Sequence, residues 1–137
     1  MKKLLIGTVA VFVFFELYEF LVHGVILKST YESLSSLWRP DMMDKMYVIH
    51  IIALITAFFF TLIFDKGREG KGVMEGVRYG FYMGMILAVG MAYGSYSMYP
   101  IPYSLALQWF LYGLVEYVIA GVVVAYVYQM KDAAPAA

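Results

Sequence analysis

The 137-residue chain contains no cysteine, which excludes structural disulfides, thiolate metal sites and cysteine nucleophiles. Charged residues make up only 15% of the chain, well below the roughly 25% of a soluble domain. No P-loop, H-E-x-x-H, G-x-S-x-G or dinucleotide-binding glycine motif occurs in it. Its basic residues form no patch that would favour nucleic acid. We expect no nucleic-acid partner and identify no catalytic residues, although hydrolysis by glutamate and histidine side chains stays open.

Hydrophobic residues, in contrast, make up 63% of the chain, and the mean hydropathy is +0.75. Four runs reach the roughly 20 apolar residues that a helix needs to cross a bilayer. These runs cover residues 4–27, 46–64, 73–98 and 103–128. We predict an all-α integral membrane protein, a four-helix bundle of antiparallel up-down topology, as one domain over residues 1–131. Residues 132–137 are predicted to form a disordered tail, and the first run has no signal-peptide cleavage site.

The basic residues flank these runs unevenly. Seven lie at one side of the predicted bundle: Lys2, Lys3, Lys66, Arg68, Lys71, Arg78 and Lys131. The other three, at the opposite side, are Lys28, Arg39 and Lys45. Because cytoplasmic loops carry the excess of Lys and Arg, both termini are predicted to be cytoplasmic.

The first outer connection is the longest and has helical signals. The stretch 29–32 has the Ser-x-x-Glu spacing of a capping box, and Asp41 is positioned to cap the second span. We therefore predict a short interfacial helix between spans 1 and 2.

Small residues recur every four positions and favour close helix packing within a membrane. The glycines concerned are Gly76, Gly80, Gly84, Gly90, Gly94, Gly113 and Gly121. Packing within one bundle and packing between copies both fit this pattern.

Ionisable side chains within the apolar runs are the candidate site. Glu16, Glu19 and His23 share one helical face, since they are three and four residues apart. His50 lies at a depth similar to that of His23. Along span four, a polar stripe of Gln108, Tyr112 and Glu116 repeats every four residues. No Lys or Arg lies deep in a span with them, so these acids must be protonated, paired or bound to a ligand.

We expect His23 to face His50 and Glu16 to approach Glu116 inside the bundle. A matched histidine pair would suit a b-type haem. Met46 and His50, one turn apart, would suit copper through thioether and imidazole. Neither cofactor has any further sequence support.

Two functional interpretations remain beside these cofactor sites. The chain is either an accessory subunit of a membrane complex, with a bundle that binds cations or protons, or a small proton- or cation-coupled translocator. Its partners would be the lipid bilayer and either other membrane subunits or further copies of itself. The absence of a broken helix favours the subunit.

Three stretches carry a resemblance. They are His23-Gly24 with Tyr31 and Trp38-Arg39-Pro40, the run from Glu75 to Gly80, and Pro100-Ile101-Pro102 with Gln108-Trp109 and Glu116. In these the chain resembles small four-span bacterial membrane proteins that carry no assigned activity. The resemblance implies the four-span topology and a bacterial inner (cytoplasmic) membrane, and it implies no mechanism.

Overall fold

The structure is a computed structural model that describes residues 1–130. These residues form five α-helices and no β-strand: α1 (Lys2–Glu19), α2 (Lys28–Ser33), α3 (Met46–Gly67), α4 (Val73–Met98) and α5 (Tyr103–Gln129). A π-helical segment, Phe20–Ile26, continues α1 without a break. The all-helical class predicted from the sequence is confirmed, and the predicted tail at 132–137 lies outside the described residues.

Three helical segments are long and apolar enough to cross a membrane: Lys2–Ile26, Met43–Gly67 and Tyr103–Gln129. They correspond to the first, second and fourth predicted spans, and they indicate a membrane protein. Helix α4 is as long, with 26 residues, but it is less apolar because it is rich in glycine and tyrosine and has Glu75 and Arg78 in its first turns.

Helices α4 and α5 run in opposite directions and touch through their backbones. A Cβ atom added to Gly76 would lie 2.1 Å from the backbone oxygen of Gly121, and one added to Gly80 would lie 2.1 Å from that of Tyr117. Farther along, a Cβ at Gly113 would lie 2.9 Å from the Cβ of Ala88. Only glycine permits this approach, so these positions fix the α4–α5 pair.

Not every glycine of α4 lies in this contact. Gly84 still faces α5, where a Cβ would lie 3.0 Å from Leu114 Cδ1. At Gly90 and Gly94, a Cβ would meet no atom within 4 Å. These two glycines therefore do not mediate helix packing within the chain.

Helix α1 packs against both α3 and α5. At its start, Lys3 Nζ donates to the Tyr128 backbone oxygen at 3.3 Å, so the beginning of α1 and the end of α5 lie together. We call this the short-loop end, because residues 68–72 connect α3 to α4 there. Its core is apolar and aromatic, and includes Val11, Phe15, Phe60, Phe64 and Val124.

The opposite end carries residues 27–45, and we call it the long-connection end. Leu27, Ile101 and Leu105 are buried there, packed against Trp38 and Trp109. The short helix predicted between spans 1 and 2 is present as α2. It begins at Lys28 after Leu27, without a side-chain cap, so the capping-box prediction is wrong. Asp41 pairs with Arg39 and Lys45 and does not cap α3, which follows Lys45 without a side-chain cap.

The short loop is held by one carboxylate. The Glu75 side chain accepts the backbone N–H groups of Glu69 and Lys71, the latter at 2.8 Å. Gly70 and Gly72 adopt φ angles of 76° and 81°, which favour glycine. Glu75 therefore closes the loop onto the first turn of α4.

Replacing Glu75 with alanine should loosen this loop. Two hydrogen bonds to a charged acceptor are lost at a solvent-exposed site, so we expect a stability loss of about 1 kcal/mol. Faster amide hydrogen exchange at Glu69 and Lys71 would report the opening. Glu69→Ala is the control, since its carboxylate pairs only with exposed Lys71. Equal exchange rates in the two variants would contradict the role of Glu75.

Candidate functional site

The predicted ionisable residues lie on three helices that meet around α1. Glu16 and Glu19 are in the last turns of α1, and His23 follows in the π-helical segment. His50 lies one turn into α3, and Glu116 lies near the middle of α5 with 7% of its surface exposed. A side chain of this polarity is rarely so buried without a partner.

The π-helical segment was not predicted from the sequence. Seven residues, Phe20–Ile26, adopt this wider turn, and His23 is at its centre. π-Helical turns are rare and occur often at functional sites. Beyond Glu19, side chains therefore rotate less per residue than the α-helical spacing implies.

Tyr31, in α2, organises the site from the long-connection end. Trp109 Nε1 donates to the Tyr31 hydroxyl oxygen at 2.7 Å, and the same hydroxyl pairs with His23 Nδ1. Indole N–H can only donate, so the hydroxyl oxygen accepts from Trp109, which leaves the hydroxyl hydrogen free to be donated to His23 Nδ1. The Tyr31 and His23 rings stack, with centroids 5.7 Å apart and planes 3° from parallel.

The tautomer of His23 follows from this arrangement. Because Nδ1 accepts from Tyr31, the proton of the neutral imidazole lies on Nε2. Nε2 is 3.3 Å from Glu19 Oε2, so His23 donates to the Glu19 carboxyl group. Burial raises the pKa of Tyr31 to about 12, with a further contribution from the nearby Glu19 carboxylate. The hydrogen bond from Trp109 opposes part of this rise. The Tyr31 hydroxyl therefore keeps its proton at neutral pH.

Glu19 on α1 faces Glu116 on α5, and the two carboxyl groups are close enough to interact directly. Two ionised carboxylates side by side would repel each other, and one proton shared between them relieves this repulsion. The resulting chain runs from Tyr31 through His23 and Glu19 to Glu116, and each step has a donor and an acceptor. We call these four residues the relay.

A second pair lies beside the relay. His50 Nδ1 is 2.7 Å from Glu16 Oε2, which joins α3 to α1. This pair is more open: 57% of the His50 side chain and 29% of the Glu16 side chain are exposed.

The contacts differ from those predicted. Glu16 pairs with His50, where Glu116 was expected, and Glu19 is the partner of both His23 and Glu116. The three residues of the predicted polar stripe on α5 contribute unequally. Glu116 is the partner of Glu19, whereas Tyr112 takes part only through its backbone oxygen, which accepts the Tyr18 hydroxyl at 2.9 Å. Gln108 makes no side-chain hydrogen bond within residues 1–130.

Tyr31 and Trp109 were not among the predicted site residues. Aromatic residues near the ends of spans are usual at a membrane interface, so neither one was distinguishable by type. The available signal was that the chain has only two Trp residues, Trp38 in the long connection seven residues after Tyr31 and Trp109 in α5.

Histidine positions do not favour haem or copper. Both ring nitrogens of His23 are engaged, by Tyr31 and by Glu19, so it would have to lose a partner to bind a metal. Within residues 1–130, no group of three or more His, Asp or Glu side chains is arranged to hold a metal ion. His50 Nε2 has no hydrogen-bond partner within residues 1–130, and Met46 lies one turn before His50 at the start of α3. These two side chains would supply two metal ligands at most.

On the short-loop side of the relay the core is aromatic. Phe15 packs edge-on against Phe60 and Tyr117, with ring centroids 6.3 and 5.7 Å apart. Phe60 in turn packs on Tyr79 at 4.6 Å, and the Tyr79 hydroxyl donates to the Phe60 backbone oxygen. These rings separate Glu116 from the short-loop end.

Within residues 1–130, no Lys or Arg side chain forms an ion pair with the acids of the site. The ion pairs of these basic residues are with acids of the loops and helix ends: Glu32, Asp41, Asp65 and Glu69. Histidine side chains and a shared proton are therefore the partners that the described residues offer to the acids of the site.

Comparison of the chain with protein-family models, with curated proteins and with solved structures gave no match.

Proposed function

We propose that all four long helices, α4 included, cross the membrane as an antiparallel bundle with both termini cytoplasmic. At about 1.5 Å per residue, α4 is about 39 Å long, enough to span a bilayer. Its glycine contact with α5 supports insertion beside that helix. The excess of Lys and Arg at the short-loop end supports a cytoplasmic position for it, and the resemblance noted above suggests a bacterial inner membrane.

We further propose that the protein binds protons from the outer side and serves as a subunit of a membrane assembly. The observation that carries this is the relay, which connects Tyr31 in the long connection to half-buried Glu19 and buried Glu116. Carboxyl and imidazole groups in hydrogen-bonded series are what proton relays within membranes use. A proton could move along this chain by successive transfers.

A subunit is favoured over a translocator because the relay reaches only one side. Beyond Glu116, the described core is apolar and aromatic, with Phe15, Phe60 and Tyr117 next to the relay, and its buried polar groups are hydroxyls. The described core at this end contains no carboxyl or imidazole group. The site therefore takes up and releases protons without conducting them through the single chain.

Infrared difference spectroscopy on the purified protein tests the proton-binding site. We expect a carbonyl stretch of a protonated carboxylic acid at neutral pH, and we expect Glu116→Gln to remove it, because Glu19 then hydrogen-bonds an amide. Glu32→Gln, at an exposed acid of α2, is the control and should leave the band unchanged. A spectrum with only ionised carboxylates at neutral pH would disprove the shared proton.

Vesicles separate the two functional interpretations. The protein reconstituted alone under a pH gradient should leave the gradient intact. A gradient that collapses with the wild type, and collapses more slowly with Glu116→Gln, would show a translocator.

A further inference from the structure

The Glu16–His50 pair lies on a face that the chain does not cover. Among the long helices, α3 has its extensive contact with α1, and α4 has its extensive contact with α5. More than half of the His50 side chain is exposed, although it lies within a candidate membrane span. Ionisable side chains at this depth face protein or water, since lipid cannot hydrogen-bond them.

The surface around the pair is apolar on both helices. Along α1, Val13 and Phe20 flank Glu16 at helical spacing and are 49% and 70% exposed. Along α3, Tyr47 and Leu54 flank His50 in the same way and are 59% and 49% exposed. A polar pair with an apolar rim has the composition of a helix–helix interface in a membrane.

We propose that a second copy of this chain covers this face, in a two-fold dimer centred on Glu16 and His50. The argument is charge complementarity. Each copy presents one carboxylate with a free oxygen and one imidazole whose Nε2 has no partner within residues 1–130. A two-fold axis brings the His50 Nε2 of each copy to the Glu16 of the other, because a two-fold interface pairs each residue with its counterpart reciprocally.

The two-fold arrangement satisfies groups that the single chain leaves open. In the dimer, both ring nitrogens of each His50 face a Glu16 carboxyl group, Nδ1 that of its own chain and Nε2 that of the other. Two imidazole rings and two carboxyl groups then form a closed ring. No unrelated partner would be required to supply these complementary groups.

Single-molecule photobleaching in dilute vesicles tests the dimer. The chain has no cysteine, so a fluorophore can be placed on Lys66→Cys in the last turn of α3. We expect two bleaching steps for the wild type at protein-to-lipid ratios where non-associating proteins give one. His50→Leu should weaken dimerisation by roughly 3- to 10-fold for each pair lost.

Two further variants keep the result interpretable. Ile86→Leu, at an exposed position of α4 away from this face, should dimerise like the wild type. The exchanged variant with Glu16→His and His50→Glu restores both pairs and should recover the dimer that His50→Leu loses. One bleaching step for the wild type at every density, or no recovery in the exchanged variant, would overturn the proposal. The infrared band of Glu116 is independent of either result.

Discussion

Replacing Gly80 with alanine is expected to separate α4 from α5 and to destabilise the protein by about 3 kcal/mol or more. The new methyl group would lie 2.1 Å from the Tyr117 backbone oxygen and 2.8 Å from the Val118 Cα atom. Neither is the end of a flexible side chain, so the two helices must move apart over their whole contact. Gly76 and Gly121 meet each other's backbones in the same way, which leaves no neighbouring position to absorb the shift.

The measurement is reversible unfolding in detergent, with Gly90→Ala as the matched control. Gly90 is in the same helix, but its added methyl group meets no atom within 4 Å. Alanine has the higher helix propensity, so this control should be neutral or more stable by up to about 1 kcal/mol. Equal stabilities for the two variants would show that the glycine contact does not hold α4 to α5.

The glycine spacing predicted which face of α4 could pack but not which of its glycines lie on that face. Positions 76, 80 and 84 are four apart, and Ala88 and Ala92, both buried, continue the same face. Gly90 follows Gly84 by six residues, so at about 100° per residue Gly90 and Gly94 lie on a different face of α4. A Cβ atom at either one therefore meets no atom within 4 Å, although α4 and α5 still touch there through Tyr93 and Phe110, whose ring centroids are 5.9 Å apart.

For the candidate site, too, the sequence predicted the residues but not their contacts. The cost of ionisable groups in an apolar run was enough to identify Glu16, Glu19, His23, His50 and Glu116. Their pairing was not predictable, because it depends on the axial offset between antiparallel helices. A shift of about one turn, roughly 5.4 Å, decides whether Glu16 or Glu19 meets Glu116. The π-helical turn around His23 also had no signal in the spacing of its residues.

Tyr31 lies outside the spans, so the search for polar residues within the membrane did not include it. Its position depends on α2, which folds back over the last residues of the first span and the first turns of α5. Trp38 Nε1 fixes that fold by donating to the Tyr31 backbone oxygen at 2.9 Å. The indole of Trp109 then holds the hydroxyl against His23. The relay therefore depends on a long-range contact that no local pattern encodes.

Replacing Tyr31 with phenylalanine should slow proton uptake by the Glu19–Glu116 pair without reducing the amount bound. The phenyl ring still stacks on His23, but the hydroxyl that links its Nδ1 to the long connection is gone. The carboxyl pair remains, so the infrared band of the protonated acid should persist at equilibrium. Time-resolved infrared spectra after a pH jump measure the rate, and Glu116→Gln, which removes the band itself, gives the contrasting result. An unchanged rate in Tyr31→Phe would place proton uptake elsewhere.

The same substitution should destabilise the fold by about 2 kcal/mol at neutral pH, because Trp109 Nε1 and His23 Nδ1 both lose their partner in a partly buried site. The loss should shrink in alkali. The wild-type phenol has a folded-state pKa of about 12 against an ordinary value of 10.0, so folding favours its neutral form. That contribution is complete below about pH 10 and is lost as the pH rises toward 12. Unfolding of wild type and variant across this range measures the difference, with exposed Tyr126→Phe as the control. A difference that stays constant up to pH 12 would show that Tyr31 ionises as readily in the folded protein as in the unfolded chain.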